Sequence, residues 1–257
     1  YNTATGNSSL QENTTGSHNT ATGRQSLFAN TTGVRNTATG SGSLLANTTG
    51  ADNVAIGYES LKASTTGIKN VAIGNYSMDA LTTGSGNTGL GYSALGANTT
   101  GGSNNAIGYF ALSSNTTGGY NAAFGNSSMN ANTTGDNNIA IGHLSLTANT
   151  TGTRNIALGS GAYDAADTEN DNLAIGYDAL GGAIAGGEFN VAIGNYSLDA
   201  NTTGDCNVGI GYETLTSNTQ GTENTAVGYR SLYTNTTGLD NTAIGMHSLY
   251  SNVSGDK

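Results

Sequence analysis

The residues best suited by type to chemistry recur at one interval. Asn-x-Ser/Thr triplets stand at Asn13, Asn30, Asn47, Asn98, Asn115, Asn132, Asn149, Asn201, Asn235 and Asn252. The amide of such a triplet is the acceptor of N-linked glycans when a surface turn presents it. A second register adds Asn7, Asn75, Asn126 and Asn195. The competing reading is that Asn-Thr-Thr-Gly is turn chemistry multiplied by duplication, since Asn and Gly are turn formers.

Other groups recur in step. Tyr58, Tyr92, Tyr109, Tyr177, Tyr212 and Tyr229, with Tyr76 and Tyr196 one place later, form a row that could stack sugars or cover a chain interface. The threonine pairs suggest a flat ice-binding ladder, but adjacent positions on an extended chain point opposite ways, which leaves one exposed row. Ala162-Tyr163-Asp164-Ala165-Ala166-Asp167-Thr168-Glu169-Asn170-Asp171 replaces one turn with carboxylates. Such oxygens suit Ca²⁺, but the glycine-aspartate nonapeptide of Ca²⁺-binding β-rolls is absent, and a solvated, bulged loop is the favoured reading. His18, His143 and His247 occupy unrelated positions and lack a Ser or Cys partner. No cofactor or metal motif emerges and no enzyme is predicted, because a strict period leaves no unique pocket in which to tune a pKa.

The element that carries these residues is a 17-residue repeat. Copies begin at residues 2, 19, 36, 53, 70, 87, 104, 121, 138, 155, 172, 190, 207, 224 and 241, with an irregular stretch over 162–189 that includes one 18-residue copy. The array 1–257 reads as a single unit. Position 1 is Asn and position 5 is Gly in all fifteen copies. Asn53-Val54-Ala55-Ile56-Gly57 reads as a strand with Val and Ile on one face and Ala on the other. The glycine then supplies a bend, as do Gly74, Gly108, Gly142, Gly194, Gly211 and Gly245 in their copies. Position 9 is Leu or Met except at Tyr163; the Thr pair suits a short strand by propensity, and the inferred coil runs strand, Gly bend, short strand or arc, Asn-Thr-Thr-Gly turn and return.

This pattern predicts an all-β parallel β-solenoid, a β-roll of about fifteen 17-residue coils. At one strand spacing per coil, its length is about 70 Å. The expected core is Val54, Ile56, Leu61, Ile73, Ile107, Leu112, Ile141, Leu146, Ile193, Leu198, Ile210, Leu215, Ile244 and Leu249. Position 3 admits only Ala or Gly, so something presses on that row: a sister chain, or the opposite wall of the same coil. Three apolar side chains per coil make a thin core. The expected partner is therefore the chain itself, as a parallel homo-oligomer, with cyclic symmetry and a trimer favoured.

Composition narrows the function further. With 40 Gly, no Pro, no Trp and 9% charged residues, the chain is no ordinary globule. Its net charge is −10 and its seven basic residues are scattered, which argues against nucleic acid or an anionic membrane as partner. No apolar run is long enough to span a bilayer. No signal peptide is evident, so the chain reads as a mature product or a fragment of a longer array. Cys206 has no intrachain partner and is read as a free thiol at a surface turn.

The strings Asn53-Val54-Ala55-Ile56-Gly57, Asn70-Val71-Ala72-Ile73-Gly74 and Asn190-Val191-Ala192-Ile193-Gly194 resemble the head repeats of trimeric autotransporter (YadA-like) adhesins and the repeats of phage tail-fibre shafts. Thr5, Thr22 and Thr39 stand where that pattern has Ile. The resemblance implies a left-handed parallel β-roll, three chains side by side, and a surface that binds a host, matrix or glycan ligand. It leads to the expectation of a non-enzymatic structural or adhesive extracellular fibre module, on a cell surface or virion. The alternatives are a self-assembling extracellular filament, glycosylated at its Asn-Thr-Thr turns, and an ice-binding solenoid.

Overall fold

The computed structural model describes residues 1–182 and 187–256. The chain is all-β: parallel three-residue strands, one per repeat, wind into a β-solenoid, and no helix occurs among the described residues. The strands are β1 (Thr3–Thr5), β2 (Thr20–Thr22), β3 (Thr37–Thr39), β4 (Val54–Ile56), β5 (Val71–Ile73), β6 (Thr88–Leu90), β7 (Asn105–Ile107), β8 (Ala122–Phe124), β9 (Ile139–Ile141), β10 (Ile156–Leu158), β11 (Leu173–Ile175), β12 (Val191–Ile193), β13 (Val208–Ile210), β14 (Thr225–Val227) and β15 (Thr242–Ile244). Two compact units share this plan. One comprises Tyr1–Ser127 with Asn132–Thr134; the other comprises Ser128–Ala131 with Gly135–Lys257.

Within each unit, sequence neighbours are sheet neighbours. Val54, Ala55 and Ile56 lie opposite Val71, Ala72 and Ile73 in the first unit, and Val208 and Ile210 lie opposite Thr225 and Val227 in the second. Leu173 pairs with Val191, so the 18-residue copy keeps its strand in register and places its extra residue elsewhere. The sequence puts that residue in 181–187, of which 183–186 lie outside the described residues.

Hydrogen bonds to the adjacent coils continue beyond the strands. The N–H of Leu27 at position 9 donates to Ser43, that of Ala29 to Leu45 and that of Thr31 to Thr48, all in the following coil. Gly23 and Gln25 donate back to Thr5 and Asn7. The Thr pair lies in a bend, as the Asn-Thr-Thr-Gly turn requires and against its strand propensity, because its neighbours bend the chain too tightly. Residues at positions 7, 9 and 17 take left-handed backbone in coil after coil, as at Tyr76 (φ 57°), Met78 (φ 51°) and Lys69 (φ 58°). Leucine pays a steric penalty of about 1–2 kcal/mol in that region, so the inter-coil ladder holds it there.

The glycine at position 5 is required twice over. Its φ is near 130°, as at Gly57 (131°) and Gly74 (134°). A Cβ on Gly74 would also lie 2.3 Å from the carbonyl oxygen of Gly91 in the next coil.

The core corrects the expected one. Ala55, Ala72, Ala140 and Ala192 at position 3 are fully buried, together with Leu61, Leu112, Leu146, Leu198 and Leu215 at position 9. Position 4 faces outward: Ile56, Ile107, Ile141 and Ile210 are 38–41% exposed, and Ile244 is 71% exposed. Ile73, Ile193 and Val54 are half-buried. Leu249, in the fifteenth coil, is 47% exposed. The physical reason is width. A Cβ on Gly89, at position 3, would come within 2.6 Å of the Ser77 hydroxyl and 3.2 Å of Met78 Cε. The chain's own opposite wall, built from positions 8 and 9 of this and the preceding coil, sits on the alanine row, so the larger strand residues take the outer face.

The size limit at position 3 is thus a property of one chain's interior. Ala72→Leu should overpack its own coil, at a cost of about 1–3 kcal/mol or more. Ile73→Thr should leave the fold intact, since Thr22 and Thr39 already occupy position 4 in β2 and β3. Denaturant unfolding of the two variants checks this ordering; the reverse ordering would put position 4 inside.

Candidate functional site

The position-12 asparagines expected as glycan acceptors belong to the interior. Asn30, Asn47, Asn98, Asn115, Asn132, Asn149, Asn201 and Asn235 are fully buried; Asn13 and Asn252 are half-buried. Nearly every one donates its Nδ2 to the glycine carbonyl three residues on, as Asn30 does to Gly33 (3.1 Å) and Asn115 to Gly118 (2.9 Å). Where an asparagine precedes it one coil back, the amide also reaches that coil: Asn47 Nδ2 donates to Asn30 Oδ1 at 2.7 Å, and Asn132 Nδ2 to Asn115 Oδ1 at 2.8 Å. A glycan on Nδ2 would replace a buried donor and has no room inside the coil. Glycosylation at these positions and the folded coil exclude one another. The second-register residues Asn7, Asn75, Asn126 and Asn195 are exposed.

A second ladder runs through position 1, whose invariance the sequence displays without giving its use. Asn70 Nδ2 donates to Gly84 across its own coil (3.0 Å) and to Asn53 Oδ1 (3.2 Å), while Asn70 Oδ1 accepts the N–H of Asn87 (3.0 Å). The inside of the solenoid therefore consists of Ala, Ser and Leu flanked by two hydrogen-bonded amide stacks.

Three surfaces remain as candidates. The first is the outer face of the strands, where positions 2 and 4 present Val54, Ile56, Val71 and Ile73 on β4 and β5 and Ile139, Ile141, Ile156 and Leu158 on β9 and β10. On β1–β3 the same places hold only threonine.

The second is the tyrosine row. Tyr58, Tyr92 and Tyr109 are 41–53% exposed, as are Tyr177, Tyr212 and Tyr229 in the other unit. The third is the threonine edge. At position 13 the hydroxyls are occupied, as Thr31 Oγ1 donates to the Thr48 carbonyl (3.0 Å), and Thr32 and Thr49 at position 14 form the exposed row.

The acidic copy does not converge on one point. Asp171 pairs with Arg154, Asp167 accepts from the Thr150 hydroxyl, and Glu169 accepts the N–H groups of Asp167 and Thr168. Among the described residues no group of three His, Cys, Asp or Glu side chains is placed to hold a metal. Cys206 is exposed. Asp79, Asp164 and Asp199 share position 10, and burial pushes each carboxyl above its ordinary value; Asp178 adds repulsion at Asp164 and Asp199. Asp52 and Asp171 are pulled below theirs by hydrogen bonds to Arg35 and Arg154, on exposed pairs that contribute little.

The position-12 stack has a gap at Ser64, whose hydroxyl and the Asn47 Oδ1 facing it are buried without a hydrogen-bond partner. Ser64→Asn should close the gap and raise unfolding stability by about 1 kcal/mol; no gain in a denaturant titration would refute the stack's role.

A carboxyl raised in the folded state binds its proton first on folding. Its contribution is full below the unfolded value, near 3.9, and is lost as pH rises through the folded one. The thermal midpoint should therefore rise as pH falls from 7 towards about 4. Combining Asp79→Asn, Asp164→Asn and Asp199→Asn should flatten that slope.

Comparison with protein-family models, with curated proteins and with solved structures gives no match to this chain.

Proposed function

We propose that this chain is a non-enzymatic, extracellular fibre module, structural or adhesive, that associates with parallel copies of itself, as a trimer. The observation that carries the proposal is the outward apolar row at position 4, from Ile56 to Phe124 on β4–β8 of the first unit and from Ile141 to Ile244 on β9–β15 of the second. The interior alanine row no longer supports self-association, because its own chain covers it. The outer face takes over that argument.

Each strand offers about 10 Å of length and 4.8 Å of width, so β4–β8 of the first unit present about 240 Å² and β9–β15 of the second about 340 Å² per copy. Summed over both units and two copies, these areas exceed the roughly 1,000 Å² that marks a specific interface. The face of the second unit alone already reaches the size of the largest apolar patches that soluble monomers leave in water. Outward Val and Ile on a regular sheet interdigitate with an equivalent sheet at about 10 Å separation. Parallel alignment keeps aliphatic strands against aliphatic strands and the threonine strands β1–β3 against their own kind.

The −10 net charge opposes close approach of like copies. Screening it with salt strengthens the hydrophobic contact. The scattered basic residues and the repeat's uniform surface suit a scaffold better than a pocketed catalyst.

Light scattering of the purified chain should give three times the 25.7 kDa chain mass, more completely at high salt. Ile73→Lys, Ile141→Lys and Ile193→Lys together should release monomers with an unchanged β circular-dichroism spectrum. A monodisperse, stably folded monomer for the unsubstituted chain ends the proposal.

A further inference from the structure

The tyrosine row has a geometry that its use as a sugar platform does not require. In the first unit the rings of Tyr58 and Tyr76, Tyr76 and Tyr92, and Tyr92 and Tyr109 have centroids 5.4, 5.7 and 5.6 Å apart. The second unit repeats this with Tyr177–Tyr196 at 5.5 Å, Tyr196–Tyr212 at 6.0 Å and Tyr212–Tyr229 at 5.6 Å, and adds Tyr233–Tyr250 at 5.0 Å. Partners in these pairs are 16 to 19 residues apart, so each pair bridges two successive coils.

The pairs Tyr92–Tyr109, Tyr212–Tyr229 and Tyr233–Tyr250 are stacked at interplanar angles of 22°, 9° and 5°. In these pairs the rings lie nearly parallel with centroids 5.0–5.6 Å apart, so each ring has its neighbour on one face. A sugar ring stacks on a face. The arrangement suits chemistry between the rings.

We propose that the tyrosine ladder is a cross-linking track, in which one-electron oxidation joins tyrosines of successive coils through ring carbon–carbon bonds and staples the solenoid. Each phenol gives one electron to a one-electron oxidant, a peroxide-charged haem centre or a photo-oxidised metal complex. Its hydroxyl proton passes to a carboxylate or to water. Two neighbouring radicals then combine at the carbons beside their oxygens, forming one C–C bond. The hydrogens on those carbons move to the two oxygens and restore both phenols. The net loss per link is two electrons, taken by two equivalents of oxidant, and two protons.

The surroundings support the first step. Glu59 beside Tyr58 and Glu213 beside Tyr212 raise both phenols above their ordinary value and place a carboxylate where it can take the departing proton. The exposure of the row admits the oxidant. A covalent link closing a loop of about one repeat restricts the unfolded chain as a disulfide does, without a second cysteine. The proposal rests on the coil geometry and is independent of the oligomer.

The test is photo-oxidation of the dilute full chain with a ruthenium complex and persulfate. Dityrosine fluorescence should appear, and the intact mass should fall by two hydrogens per link. Linked peptides should be dominated by Tyr92–Tyr109, Tyr212–Tyr229 and Tyr233–Tyr250, and the thermal midpoint should rise. Tyr250→Phe should delete the third link alone, and Tyr109→Phe the first, each with an unchanged circular-dichroism spectrum. The same chain oxidised in urea should give scattered pairings that include Tyr120, which is 70% exposed. No link in the folded chain, or the urea pattern in both states, overturns the proposal. Links only between chains overturn it too, while leaving self-association standing.

Discussion

The structure depends on one side chain repeated every 17 residues, the asparagine at position 1. Its amide nitrogen closes its own coil by reaching the position-15 carbonyl, as Asn36 reaches Gly50 at 2.8 Å. Its amide oxygen takes the backbone N–H of the next asparagine, as Asn36 Oδ1 does from Asn53 at 3.0 Å. One residue thus fixes both the circumference of a coil and the position of its neighbour. Aspartate would lose the donor, and glutamine adds a methylene the closed coil has no space for. The glycine at position 15 follows, because a Cβ on Gly50 would fall 2.3 Å from Asn47 Oδ1 and 2.4 Å from the Gly67 carbonyl oxygen. With circumference and step both set, the interior has room for one leucine and one alanine.

The period, the parallel stacking, the bends at Gly57 and Gly74 and the inward leucines such as Leu61 and Leu112 were legible in the sequence. The side of the strand that faces inward was misread at Val54 and Ile56. That error has a physical source: large aliphatic residues mark the core only when the core is apolar and wide. Here two amide stacks, each bonded from coil to coil, line a narrow interior. Variability carried the missing signal. Position 4 accepts Thr22, Leu90, Phe124 and Ile141, and position 2 accepts Asn105, a range of volumes no packed interior tolerates. Position 3, confined to Ala and Gly, is what a packed interior looks like. The same logic covers position 12, where buried asparagines imitate an exposed glycosylation signal.

The tenth copy shows how a coil survives without its usual parts. Ala166 replaces the position-12 asparagine and Glu169 the position-15 glycine. Tyr163, in the leucine position, is fully buried, and its hydroxyl lies 2.5 Å from Asn172 Nδ2. The phenol thus brings a polar partner into the amide stack from the leucine position. Burial drives its ionisation far above the ordinary range. The Glu169 carboxylate turns back onto the N–H groups of Asp167 and Thr168, and its own carbonyl still accepts Asn155 Nδ2 at 2.7 Å. Three substitutions together preserve the position-1 ladder.

The gaps in the position-12 stack follow from the one-dimensional character of a solenoid, in which each coil contacts only its neighbours. A run of asparagines has one fewer link than it has members, as in Asn13–Asn30–Asn47 and Asn201–Asn218–Asn235–Asn252. Two isolated replacements would each break two links, whereas two adjacent ones share a link and break three in all. Ser64 and Leu81 are adjacent. Leu81 is fully buried and fills its place with apolar volume, leaving no orphaned polar atom of its own. Ser64, too short to reach Asn47 and too polar to pack, is where the cost concentrates. The first unit therefore carries an unpaired inter-coil contact at a nameable residue, between β3, whose outward residues are threonine, and β4, whose outward residues are aliphatic.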